Sequence, residues 1–142
     1  MKIRVFLDTN VFIYSFEFSQ SNSAKIIELL NDNQIEAIIS EQVLKEVTRY
    51  FEKYYSFELA KKFRRYLLNS CTIIMGTKVL KFMRTFKDKI KEKDLEQISV
   101  VRKFGIKYLI SYDRDFEFFS EYFTPKEFLI SIGVKPSIKD EF

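Results

Sequence analysis

The sequence predicts an α/β domain of three layers, with a mainly parallel central sheet of four to five strands flanked by helices. Three observations carry that expectation. Short β-rich apolar runs alternate with segments whose apolar residues recur at helical spacing, and parallel neighbours need helical crossovers. The 142 residues suit one domain, 1–142, since a chain of that length hides roughly two-thirds of its unfolded surface. Hydrophobic residues make up 46% of the chain, which excludes the composition of disorder.

The first strand is Ile3-Arg4-Val5-Phe6-Leu7, which ends in the polar Asp8-Thr9-Asn10. A helix follows over 21–30, and Asn31-Asp32-Asn33 reads as the turn after it. The second strand spans 36–40. From 41 to about 55, Val43, Val47, Tyr50, Phe51 and Tyr54 repeat at helical spacing, with Ser40 placed as the cap. Ser56 caps another helix that runs to about Leu68, and a short strand follows over 71–75. A basic segment through Lys93 leads to a helix over 94–104, closed by Gly105 where a left-handed residue is expected. The last strand is 107–111. Ligands of such sheets gather at the carboxyl ends of the strands.

Composition narrows the chemistry. No histidine is present, so a histidine general base, a Ser-His-Asp triad and a histidine-ligated zinc are excluded. Three glycines leave no Walker loop and no GxGxxG fingerprint. Cys71, the lone cysteine, reads as a buried thiol in a reducing compartment. No basic leader precedes an apolar run, and charges interrupt every apolar stretch short of the ~20 residues of a membrane span. A cytoplasmic protein without a membrane partner is the expectation. Against 20 acidic residues stand 24 basic ones, a balance mildly favourable to a polyanion.

Catalysis then falls to carboxylates, lysines, hydroxyls or a bound metal. Asp8 directly follows a strand and faces either a ligand crevice or the start of the next segment, which it would cap. Asp8-Thr9-Asn10 is also similar to the nucleophile motif of haloacid-dehalogenase-like phosphatases, but those need a second aspartate where Asn10 stands. Glu46 lies about 90° from the centre of its helix's apolar stripe, at a border where a carboxylate reaches either a cleft or solvent. Asp94 has Gln97 three residues on, which is also the spacing of a capping box. Asp113 and Asp115 stand just past the last strand, where aspartates serve turns as well. In a parallel sheet all of these could converge on one edge. Unit charges about 4 Å apart interact by roughly 4 kcal/mol at an effective dielectric of 20, so such a cluster takes up protons or binds cations. Hard oxygen ligands suit Mg²⁺ or Mn²⁺.

The ordered motifs resemble the PIN-domain nucleases, including the VapC-type toxins. The resemblance rests on Phe6-Leu7-Asp8-Thr9-Asn10, Ile39-Ser40-Glu41-Gln42-Val43-Leu44-Lys45-Glu46, Lys93-Asp94-Leu95, the run from Tyr108 to Phe116 and the trailing Thr124-Pro125-Lys126-Glu127-Phe128-Leu129. It covers about 3–129. It implies a PIN-like fold and a Mg²⁺ or Mn²⁺ site of one or two ions made by Asp8, Glu46, Asp94 and Asp113. Asp115 would be a peripheral fifth acid, with Asn10 and Ser111 as hydrogen-bonding support. The implied activity is metal-dependent hydrolysis of phosphodiester bonds in RNA, by the toxin of a toxin–antitoxin pair. The implied partners are an RNA substrate, a small antitoxin and a second copy in a homodimer.

Between 56 and 91 no family motif is found. Lys61, Arg64, Arg65, Lys89 and Lys91, with Arg114, are either solvated charges or the lining of an RNA path. Tyr50, Tyr54, Tyr55, Tyr66 and Tyr112 read first as packing residues and second as base-stacking ones. A different class of function also stays open: a nucleic-acid-binding or assembly module on this fold, with weak or partner-dependent cleavage.

Overall fold

Five strands form one sheet in the order β3-β2-β1-β4-β5: β1 (Ile3–Leu7), β2 (Ile35–Ser40), β3 (Cys71–Ile74), β4 (Leu109–Ile110) and β5 (Tyr122–Phe123). This is a computed structural model that describes residues 2–139; residues 1 and 140–142 of the expected domain lie outside the described residues. All four strand pairings are parallel. The chain builds outward from β1 through β2 to β3, then returns to add β4 and β5 on the other side. Strand order therefore reverses between β1 and β4, the kind of switch point at which α/β sheets open a crevice.

Among the described residues, seven helices flank this sheet: α1 (Thr9–Glu17), α2 (Asn22–Asn31), α3 (Glu41–Tyr54), α4 (Phe57–Ser70), α5 (Leu80–Phe86), α6 (Glu92–Lys103) and α7 (Pro125–Ser131). The expected caps are made. Ser40 Oγ accepts from Val43 N and Ser56 Oγ from Leu59 N, both at 3.1 Å. Gly105 sits at φ 61°, and Ile106 N donates to Val101 O at 3.0 Å, so the chain leaves α6 through a left-handed residue. Thr124 and Glu127 close a reciprocal capping box that starts α7.

Four elements lie where the sequence reading assigned no element: α1, α5, α7 and β5. In α1 the β-branched and aromatic Val11, Phe12 and Ile13 mask helical propensity. Burial of Val11 and Phe12 in the core overrides it. The core stripe of α3 is Val43, Leu44, Val47 and Phe51, whereas Tyr54, in the last turn, is exposed. Tyr54 therefore does not belong to the packed face to which its spacing assigned it. Phe6, Phe12, Phe51, Phe116 and Phe128 are among the largest fully buried side chains. Cys71 is half-buried, and burial pushes its thiol up to about 12. Among the described residues no helix is long and apolar enough to cross a membrane.

Candidate metal centre

The register between β1 and β4 sets the site. Leu7 pairs with Ile110, and Asp8 N donates to Ile110 O at 3.0 Å, so Asp8 and Ser111 leave the sheet side by side. Asp8 Oδ1 accepts from Thr9 N at 2.9 Å, which makes the residue the cap of α1, while Oδ2 accepts from Ser111 Oγ at 2.7 Å. The capping reading of Asp8 is thus observed on Oδ1, while Oδ2 is held by Ser111. Ser111 is fully buried and uses its whole capacity. It donates to Asp8 and accepts from Asn10 Nδ2 at 3.3 Å and Asp113 N at 2.9 Å. Asn10 Oδ1 accepts from Tyr112 N at 3.3 Å, a second tie between the start of α1 and the end of β4.

Asp113 caps a short 3₁₀ turn, Arg114–Phe116, by accepting from Asp115 N at 2.9 Å. Facing it is the first turn of α6. This helix starts at Glu92 with Lys91 as its cap residue, two residues earlier than its pattern suggests, so Asp94 makes no capping bond. Asp94 points inward instead and is buried. Asp94, Asp113 and Asp115 each bring a carboxylate oxygen within 4.8 Å of the others. Two exposed lysines share this acidity: Lys91 Nζ lies 3.0 Å from Asp115, and Lys93 Nζ 3.8 Å from Asp113 and 4.0 Å from Asp115.

The electrostatics show how crowded the negative charge is. Burial raises the Asp8 carboxyl above its usual range, against the Ser111 and Thr9 donors, and the charge of Asp113 adds to the rise. Burial also raises Glu46, with Asp8 contributing. Asp94 is pushed up to about 6, first by burial and then by Asp113. Asp115 is the exception, held below its usual value by the hydrogen bond from Lys91. Two buried oxygens in this group, Asp94 Oδ2 and Glu46 Oε1, have no hydrogen-bond partner. Unpartnered carboxylate oxygens beside further carboxylates are a donor set that fits a hard divalent cation.

The sequence-derived residues fall into place as follows. Asp94, Asp113 and Asp115 form the tight group; Asp8 and Glu46 adjoin it and are coupled through their charges. Asn10 and Ser111 bind Asp8 and the β4 loop together. Lys91 is spent on Asp115, and Arg114 stands exposed beside Asp113. Lys61, Arg64 and Arg65 are exposed on α4 and Lys89 after α5, none ion-paired with these carboxylates. Two participants were not anticipated. Gln97, buried one turn beyond Asp94, faces Asp8, and its i,i+3 spacing from Asp94 is the signal that could have found it. Lys93 had its place in a motif but no assigned role.

A family model described as "PIN domain" matches residues 4–115. Among solved structures, the chain is similar to a toxin–antitoxin complex from Klebsiella pneumoniae, with TM-score 0.69 and 20% identity over 87% of this chain and 98% of that one. It is similar to Mycobacterium tuberculosis VapC20, described as a Sarcin-Ricin loop cleaving toxin, with TM-score 0.60 and 15% identity over 80% and 92% of the two chains. VapBC2 from Rickettsia felis, bound to a DNA fragment from its promoter, gives TM-score 0.60 and 18% identity over 86% and 97%. No curated protein matches. At these identities the structural likeness concerns the fold.

Proposed function

The chain belongs to the PIN-domain family, and from that premise we propose that it is a Mg²⁺- or Mn²⁺-dependent endoribonuclease acting as the toxin of a toxin–antitoxin pair. The observation that supports this most is the convergence of five acids, Asp8, Glu46, Asp94, Asp113 and Asp115, from β1, α3, α6 and the loop after β4, with two buried oxygens left unpartnered. Asp8, Glu46, Asp94 and Asp113 would hold one or two ions, with Asp115 at the rim. Such an ion supplies charge neutralisation at a phosphodiester and a more acidic water.

The rest of the chemistry belongs to the side chains. Ser111 holds Asp8 in place by donating its hydroxyl proton to Oδ2, while Thr9 N donates to Oδ1. Glu46 Oε1 is buried and without a hydrogen-bond partner, an oxygen that would be satisfied by a bound cation. Lys91 and Lys93 neutralise Asp113 and Asp115 and are exposed, so they can turn to a substrate phosphate once those acids hold a cation.

The proposed partners are RNA, a small antitoxin that covers the acids, and a second copy of this chain. RNA incubated with the protein should be cut when Mg²⁺ or Mn²⁺ is added and stay whole in chelator or with Asp8→Asn. Intact RNA from the wild-type protein in Mn²⁺ would overturn the enzyme and leave a binding module. Light scattering with and without a co-expressed small neighbour protein tests the partners.

A further inference from the structure

Outside the group of acids, one carboxylate joins the two helices that carry Glu46 and Asp94. Glu96 is two residues beyond Asp94, so at about 100° per residue it leaves α6 about 160° away from it. Asp94 is buried beside Asp113, whereas Glu96 Oε2 reaches the start of α3 and accepts from Gln42 N at 2.8 Å. Gln42 belongs to the first turn of α3, where Ser40 Oγ already serves Val43 N. The helix start therefore has one cap from its own strand and one from α6. The Gln42 side chain returns the contact, since its Nε2 donates to Lys93 O, the carbonyl just before Asp94. Glu46 stands one turn beyond Gln42, and the Gln42 amide also favours its charged form.

Glu96 is half-buried, yet among the described residues no cation pairs with it. The amide end of α3 is what receives its charge. Against it lies Gly76, in the turn after β3, where a Cβ would stand 2.5 Å from Glu96 Oε1. The Gly76 backbone is not left-handed, so space and not conformation calls for glycine there. Gly76 N donates in turn to Glu41 Oε1 at 3.4 Å, which ties the same turn to the first residue of α3.

We propose that Glu96 is a positioning residue of the metal centre: through Gln42 it fixes the first turn of α3 against the first turn of α6 and so sets the separation of Glu46 from Asp94, while Gly76 keeps open the space it occupies. This rests on the metal-dependent reading of the site. A helix cap that adds stability alone is the competing role, and metal affinity tells the two apart.

The test is calorimetric titration of the full chain with Mn²⁺, without RNA, beside hydrogen exchange of the Gln42 amide in chelator. Glu96→Ala should weaken Mn²⁺ binding about tenfold, the scale of losing a group that orients metal ligands, and should speed exchange at Gln42. Glu96→Gln keeps an acceptor for Gln42 N and should stay close to wild type. Gly76→Ala should weaken Mn²⁺ binding by itself but add nothing to Glu96→Ala, where the oxygen that its methyl group meets is gone. Ser56→Ala removes the cap of α4, a helix that carries none of the acids, and as the stability control should leave Mn²⁺ affinity unchanged. Wild-type affinity in Glu96→Ala, an equal loss in Ser56→Ala, or losses that add in the double variant would overturn the positioning role. A wild type that takes up no Mn²⁺ while its Gln42 amide exchanges slowly would instead overturn the metal-centre reading.

Discussion

Ser111 spends its one donor and both acceptor positions on Asp8, Asn10 and Asp113, so its hydroxyl joins three segments of chain in a fully buried place. Ser111→Ala leaves these polar groups short of partners and should cost about 1–3 kcal/mol. Urea unfolding measures that loss, and a cost within error of zero would show that water replaces the hydroxyl. Asp94 gives a pH prediction. Its folded pKa, about 6, lies above the ordinary 3.8, so the folded state binds the proton more tightly than the unfolded chain does. Stability from that proton is present below about pH 4 and is lost as pH rises through 6, where the ionised carboxyl costs ~3 kcal/mol. In chelator, Asp94→Asn should therefore be more stable than wild type at pH 8, by up to ~3 kcal/mol, with the difference fading near pH 4. Unfolding curves at the two pH values that differ by the same amount would contradict the buried, crowded carboxyl.

Helices α1 and α3 each take their first turn from a residue at the end of the strand before them. Ser40, the last residue of β2, caps α3 and so sets the direction in which Glu46 leaves the helix. Ser40→Ala should cost about 1 kcal/mol and weaken Mn²⁺ binding with it, as read by urea unfolding with and without the ion. Asp8 caps α1 with one oxygen and accepts from Ser111 with the other, and asparagine caps as well as aspartate. Asp8→Asn should consequently keep stability within about 0.5 kcal/mol while abolishing cleavage. Asp8→Ala should lose both. These elements were partly legible: Ser40, Ser56 and Gly105 announced the ends they make, because capping is chemistry within four residues. The start of α6 was not, since Asp94 and Gln97 satisfy the capping-box pattern and yet are buried for the site.

At the scale of the whole molecule, the centre is a concentration of negative charge in a chain of net charge +4. Among the described residues, only Lys91 and Lys93 are close enough to pair with Asp113 and Asp115. A cation that binds only the folded protein stabilises it by RT ln(1 + [L]/Kd), about 2.7 kcal/mol at a hundredfold excess over Kd. Mn²⁺ should therefore raise the melting midpoint of the wild type, and much less that of Asp94→Asn. A midpoint indifferent to Mn²⁺ in both would rule out the metal centre.

The alternation of strands with amphipathic helices, the caps, and the exclusion of histidine chemistry by the lack of histidine could all be derived from residue types and short spacings. Those features depend on neighbours within a turn or two. Only the tertiary structure decided that Asp8 and Ser111, 103 residues apart, share a hydrogen bond, that Asp94 turns inward, and that Lys91 and Lys93 lie against the acids. It also decided that Tyr54 stays outside the core. Each of these depends on the β1–β4 register and on where the crossovers return the chain, which no local periodicity contains.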